Sequence, residues 1–293
     1  MKALIIAEHA AAAAELVAGA RTMADEVVAI SFGGAYECGA DKVLNITVPE
    51  GLTVDSAVET VNAAFDAENP EVVLVEACRH MKVVAGSLAF HADTAVITDV
   101  TAFEAEGAKS MYFGGIAERV QKAAGNVAIY TVGAGVFDGT EGANGSVAEQ
   151  EWVAPARPVK VVSSQVIEKS GVNLFKADVV VAAGRGFAEE SQLSMANDLC
   201  DKLGAGLACS RPLTEGVNWL PTERYVGVSG LMLTPKAYIA AGISGQMQHM
   251  VGCNRSGAIF AINKDKNAPI FKQCDFGLIG DIKDVLPAIT AAL

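Results

Sequence analysis

The chain has 293 residues, 51% of them apolar and 19% charged, which is enough to bury one large core or two ordinary ones and excludes a disordered protein. Its formal charge of −12 excludes a general nucleic-acid binder, which needs surplus Lys and Arg to displace counterions from phosphates. The six cysteines form no Cys-x-x-Cys pair and the four histidines no metal-spaced cluster, so the expectation is no metal, no iron–sulfur centre and no disulfide framework.

Taken in order, residues 1–9 read as a first strand rather than a signal peptide. No apolar run reaches membrane-spanning length, and the expected compartment is the cytoplasm. Ala10–Ala24 reads as an Ala-rich helix, Val27–Phe32 as a second strand and Lys42–Ile46 as a third. Val54–Phe65 fits a helix, with Val58, Val61, Ala64 and Phe65 at three- and four-residue steps, and Val72–Val75 follows as a strand. This alternation predicts a mostly parallel sheet covered by helices. After His80 the rhythm changes: Ala95–Val100, Lys109–Phe113 and Val127–Val132 read as strands with antiparallel pairing, followed by a Gly-rich stretch from Gly133 to Gly145. Gly33-Gly34 is a plain turn, and the first half offers no phosphate cradle. Pro155, Pro158 and a β-like run from Val159 to Val166 precede the polar Glu168–Gly171, which places a domain boundary near 170.

In the second half Ala177–Ala183 is a buried strand ending in Gly184-Arg185-Gly186. An acidic-started helix follows, with Leu193, Ala196, Cys200 and Leu203 inward and Gly204 closing it. Gly206–Cys209 is a strand delivering Ser210-Arg211, and Tyr225–Gly230 is read as a strand edge. Ala237–Ala241 leads into Gly242-Ile243-Ser244-Gly245-Gln246-Met247-Gln248-His249, where glycines allow backbone N–H groups close to a phosphate and a following helix start favours its charge. Ala258–Ile262 leads to Asn263, and Phe271–Leu278 to Asp281 and a last amphipathic helix with Val285, Leu286, Ile289 and Leu293. Each polar group therefore comes just after a strand. Singly, each has an ordinary structural role: Arg185 a helix-end partner, Ser210 a cap, His249 a satisfied histidine. Together they share the edge of a parallel sheet where ligands bind, and suit a ligand with a phosphate centre and a polar heterocycle.

These residues resemble the alpha subunit of electron transfer flavoproteins. The resemblance rests on Gly184-Arg185-Gly186, Ser210-Arg211, Val226–Gly230, Tyr238–His249 and Ala261–Asp265, continuing through Asp275-Phe276-Gly277 to Asp281. It covers essentially all of 177–293, and more loosely Ile97–Val100 and Met111–Ala117. Cys209–Pro212, Val226–Leu233 and Gln248–Gly252 look closest to the Fix-type branch, which is linked to anaerobic acyl-CoA or carnitine reduction and to electron supply for nitrogen fixation.

With the strand pattern, the resemblance implies an α/β protein of two domains. Residues 1–170 form a mostly parallel α/β domain contacting a beta subunit, and 171–293 a doubly wound parallel-sheet domain binding FAD. It also implies transient redox partners: an acyl-CoA dehydrogenase or reductase, or a quinone oxidoreductase. By position, Arg185 with Ser244, Gly245, Gln246, Met247, Gln248 and His249 would serve the pyrophosphate and flavin edge. Ser210, Arg211, Val226, Gly227, Val228 and Ser229 would surround the isoalloxazine, Ser229 facing N5 and His249 the C2 carbonyl. Asn263 and Asp281 would hold the adenosine half. Arg211, which cannot lose its proton, would favour negative charge on the singly reduced ring. Two departures stand out. Many members carry Gln-Thr where this chain has Val228-Ser229, and Lys109-Ser110-Met111 lacks an arginine often found there. The implied role is an electron carrier with no catalytic side chain. Two alternatives remain at this point: an NAD-binding oxidoreductase using His249 as acid or base, which lacks an opening Gly-x-Gly-x-x-Gly, and a non-catalytic nucleotide-binding subunit.

Overall fold

Short apolar runs recur along both halves of the chain, and most of them become strands of two sheets, one mostly and one wholly parallel. The computed structural model describes residues 1–165 and 172–293. The chain divides into two compact units, one of Met1–Tyr112 with Glu118–Val166, the other of Phe113–Ala117 with Ile167–Leu293. The boundary expected near 170 lies outside the described residues. Among those described, no helix is long and apolar enough to cross a membrane.

The first unit contains β1 (Lys2–Ile6), α1 (Ala10–Ala20), β2 (Glu26–Phe32), β3 (Lys42–Ile46), α2 (Val58–Glu68), β4 (Val72–Glu76), α3 (Arg79–His91), β5 (Val96–Glu104), β6 (Gly107–Tyr112), β7 (Ala117–Gln121), β8 (Ala128–Val132) and β9 (Ser146–Glu149). Its sheet runs β7-β6-β5-β8-β4-β1-β2-β3-β9. Alternate residues of β1 serve opposite faces. Ala3 and Ile5 pack with Ala13, Leu16 and Val17 of α1, while Leu4 and Ile6 pack with Val61 of α2 and Met81 and Val84 of α3. A strand buried on both faces has to be apolar throughout, which is why β1 shows no polar alternation.

Three expectations change here. Antiparallel pairing joins β5 to β6, but β8 runs parallel to both β4 and β5. The run from Val159 makes no strand over its described residues, only a single bridge between Lys160 and Leu52, because its donors go to a loop: Val159 N–H to Ser56 Oγ and Val161 N–H to the Gly51 carbonyl, each at 2.9 Å. Residues 79–91, assigned no element from sequence, form α3, with Met81, Val84, Ala85, Leu88 and Ala89 buried at helical steps.

The second unit contains β10 (Val179–Ala183), α4 (Leu193–Leu203), β11 (Gly206–Cys209), β12 (Ala237–Ala241), α5 (Met247–Met250), β13 (Ala258–Asn263), β14 (Phe276–Ile279) and α6 (Ile282–Ala292). All neighbouring strands are parallel, in the order β11-β10-β12-β13-β14. α4 and α6 cover one face, packing Leu193, Ala196, Leu199, Ile282 and Leu286 on Val181 and Ala183. The other face is covered by α5 and irregular segments, through Val226, Leu233, Met250 and Ile270. Tyr225–Gly230 is not a strand edge. Leu231 N–H returns to the Tyr225 carbonyl at 2.8 Å and Gly230 N–H to that of Gly227 at 2.9 Å, so this segment folds back on itself.

Candidate functional site

β10 and β12 lie side by side, and the chain leaves β10 for β11 on one side and β12 for β13 on the other. This is the topological switch point of the sheet, and the crevice outside its strand ends is where open α/β folds bind ligands. The two ends meet at glycines. Gly184 N–H donates to the Ala241 carbonyl and Gly186 N–H to that of Gly242, each at 2.9 Å. Gly242 has φ +66°, and a Cβ there would lie 2.7 Å from the Gly186 Cα, so only glycine fits.

Above this junction lies a cavity of about 660 Å³, within the usual size range of cofactor sites. Of the residues predicted from sequence, Arg185, Ser210, Arg211, Val228, Ser244, Gln246, Gln248, His249 and Asn263 line it. The two arginines differ. Arg211 Nε donates to Glu215 Oε2 at 2.5 Å, whereas Arg185 has no ion-pair partner among the described residues. The Glu215 carboxylate pushes the Arg211 guanidinium further above its ordinary range, so Arg211 is a permanent cation. Asn263 is held in place, its Nδ2 donating to the Ile243 carbonyl at 2.9 Å and its Oδ1 accepting from Asp265 N–H at 3.0 Å.

His249 is the buried polar group of the cavity wall. Its Nε2 lies 3.0 Å from the hydroxyl of fully buried Tyr238. Burial pushes the imidazole pKa down to about 4, and the nearby Val226 carbonyl offsets this only in part. The ring is therefore neutral at physiological pH. Its Nδ1 has no hydrogen-bond partner among the described residues. Neutral histidine, two arginine cations, hydroxyls of Ser210 and Ser244, and a glycine-floored junction together fit a flavin dinucleotide.

Six predicted residues do not line the cavity. Val226, Gly227 and Gly245 are buried behind it, and Met247 opens α5, half-buried. Ser229 is exposed, and its Oγ lies 3.1 Å from the hydroxyl of Tyr225, which does line the cavity. Asp281 also lies outside. It caps α6, accepting from Lys283 N–H at 3.0 Å. Asp281→Ala is therefore expected to lower stability by about 1 kcal/mol in thermal unfolding. FAD content should remain intact; loss of FAD without loss of stability would return Asp281 to the cofactor. The helix expected after Gly245 is only the four-residue α5, too short for a useful macrodipole. Tyr225, Glu215 and Asp265 also line the cavity; Asp265 closes the Ala261–Asp265 motif but the sequence assigns it no role, and Tyr225 and Glu215 lie in no motif. Glu215, four residues after Arg211, is the one that spacing alone could have supplied.

Comparison with known proteins agrees with this geometry. Residues 173–254 match the electron transfer flavoprotein FAD-binding domain, and residues 3–157 the electron transfer flavoprotein domain. Protein FixB of Escherichia coli O157:H7 is 38% identical over 293 residues, covering 95% of this chain and 94% of its own length. FixB of Shigella flexneri gives the same figures, 38% identity with 95% and 94% covered. FixB of Salmonella typhimurium is 39% identical over 296 residues, again with 95% and 94% covered. Neither the NAD-binding alternative nor the non-catalytic one is favoured by these matches. The chain belongs to the electron transfer flavoprotein family, as a Fix-type alpha subunit that binds FAD and pairs with a beta subunit.

Proposed function

We propose that this subunit holds FAD in the cavity at the β10–β12 junction and passes electrons between a dehydrogenase or NADH-linked donor and an acyl-CoA reductase or quinone-linked acceptor. The observation that carries this reading is the convergence of Arg185, Arg211 and neutral His249 on one cavity of about 660 Å³ at a switch point. Bound FAD supplies the redox chemistry, accepting and releasing electrons singly or in pairs. Arg185 and Ser244 bind the pyrophosphate beside the glycine junction, where the backbone permits close approach. Ser210, Arg211 and Val228 would flank the flavin, and His249 gives the cavity wall a neutral ring. Asn263, already fixed by Ile243 and Asp265, bounds the adenosine end. The first unit faces the beta subunit, and the heterodimer works in the cytoplasm.

Arg211 and Glu215 set the local charge with opposite signs, which makes the reading testable. A unit charge beside a partly exposed group is worth on the order of 1 kcal/mol, a few tens of millivolts for one electron. Arg211→Ala should lower the first reduction potential of the heterodimer's alpha-chain flavin by that amount, and Glu215→Gln should raise it. Spectroelectrochemical titration measures both. Equal potentials in wild type and both variants would place the flavin away from this pair. The reading itself fails if the purified heterodimer is colourless, or if alpha-chain FAD survives simultaneous replacement of Arg185 and Ser244.

A further inference from the structure

The first unit has a switch point of its own. β1 and β4 are neighbours, and the chain passes from β1 to β2 on one side while β4 pairs with β8 on the other. Ligands of open α/β sheets bind outside such strand ends. A phosphate is unsuited here. The carboxylates of Glu8 and Glu76 stand at the two strand ends, and the adjoining cavity, which Glu15 and Glu76 also line, measures only about 140 Å³. Both the charge and the size favour a metal cation.

We propose that Glu8, His9 and Cys78 bind a divalent, zinc-like cation, with Glu76 and His80 positioning the ligands. One ligand atom from each of the three lies within 4.8 Å of the others. Tetrahedral zinc holds its ligands about 3.4 Å apart, so the set has to draw in on binding. The supporting contacts are those of a built site. His9 Nδ1 lies 2.7 Å from Glu76 Oε1, the carboxylate–histidine pairing that orients metal-binding imidazoles and leaves Nε2 for the ion. Glu76 is itself anchored, its Oε2 accepting from the N–H groups of Glu8 and His9 at 2.8 and 3.1 Å. His80 Nδ1 lies 2.9 Å from Glu8 Oε1, and Cys78 Sγ lies 3.3 Å from Glu8 Oε2. His9 and Cys78 occupy the N-cap positions of α1 and α3, yet neither side chain caps its helix. Thiolate and imidazole beside one carboxylate select zinc over magnesium or calcium, which prefer oxygen throughout. On binding, the Cys78 thiol releases its proton to solvent, and three protein ligands leave a fourth position for water. Sequence spacing does not reveal this set, because Glu8 and Cys78 stand 70 residues apart.

The test uses the FAD-loaded heterodimer, stripped with a chelator and titrated with Zn²⁺ by calorimetry, with metal counted by elemental analysis. One zinc per alpha chain is expected in wild type, lost in Cys78→Ser and in His9→Gln, with FAD content unchanged. Glu76→Gln should weaken binding about 10- to 100-fold, as loss of an orienting partner does. Cys274→Ser, a half-buried cysteine of the other unit, should bind as wild type does. His9 is largely exposed, so His9→Gln stands as the second variant should Cys78→Ser fail to fold. Absence of stoichiometric zinc in wild type, or zinc undiminished in the Cys78→Ser/His9→Gln double variant, overturns the proposal.

Discussion

Gly242→Val is expected to strip FAD from the alpha subunit while the first unit stays folded. Two costs combine at this position. Gly242 has φ +66°, a left-handed conformation that costs a non-glycine residue about 1–3 kcal/mol and a β-branched one more. A Cβ would also lie 2.7 Å from the Gly186 Cα and 3.0 Å from its nitrogen, both backbone atoms that cannot rotate away. The ends of β10 and β12 would have to separate, breaking the 2.9 Å bond from Gly186 N–H to the Gly242 carbonyl. That junction floors the cavity, so the damage falls on the ligand before it falls on the sheet. A loss of about 3 kcal/mol is two decades in affinity. The measurement is the ratio of flavin to protein after gel filtration of the heterodimer. Gly204→Ala is the control: Gly204 has φ +61° with nothing within 4 Å, so it carries backbone strain without a close approach. It should cost stability and keep its FAD. Full flavin occupancy in Gly242→Val would remove the junction from the binding site.

How far the sequence discloses this molecule depends on the range of the physics involved. Parallel strands such as β1 and β10 are legible because burial on both faces leaves an uninterrupted apolar run. The cavity wall is legible for a related reason: parallel strands place their following residues at one edge, so Arg185, Ser210, Ser244 and Asn263 converge by topology alone. Helix α3 is equally readable from its periodicity, but the polar Arg79-His80 start obscures it. What is not legible depends on contacts distant in sequence or on local fold-back. The segment that carries Ser229 folds back because Leu231 bonds to Tyr225, and strand propensity carries no sign of that. Asp281 follows a strand as the others do, but the helix it opens claims its carboxylate. The partners of His249 and Glu8 are set only once strands pair.

Acidification is expected to destabilise the second unit through His249, and in a window its burial defines. The imidazole titrates near 6.5 in an unfolded chain and at about 4 in the fold, because burial disfavours the cation. Above pH 6.5 both states hold it neutral and it makes no difference. Between 6.5 and 4 the unfolded chain takes up the proton and the folded chain does not, so stability falls as pH falls. Below 4 both are protonated and the loss is complete. The shift from 6.5 to about 4 corresponds to about 3 kcal/mol at roughly 1.4 kcal/mol per pKa unit. That is a large share of what a domain of this size has in reserve. His249→Gln keeps a hydrogen-bonding partner for Tyr238 without a titrating group, so it should lose this slope while carboxylates elsewhere still titrate. Denaturant midpoints of flavin-free heterodimer at pH 7, 6, 5 and 4.5 separate the two. If wild type and His249→Gln decline in parallel, the imidazole is not the group responsible, and a proton on His249 costs the fold nothing. If the slopes diverge as expected, the neutral ring is a requirement of the fold itself, and any ligand in the cavity meets an uncharged histidine across the physiological range.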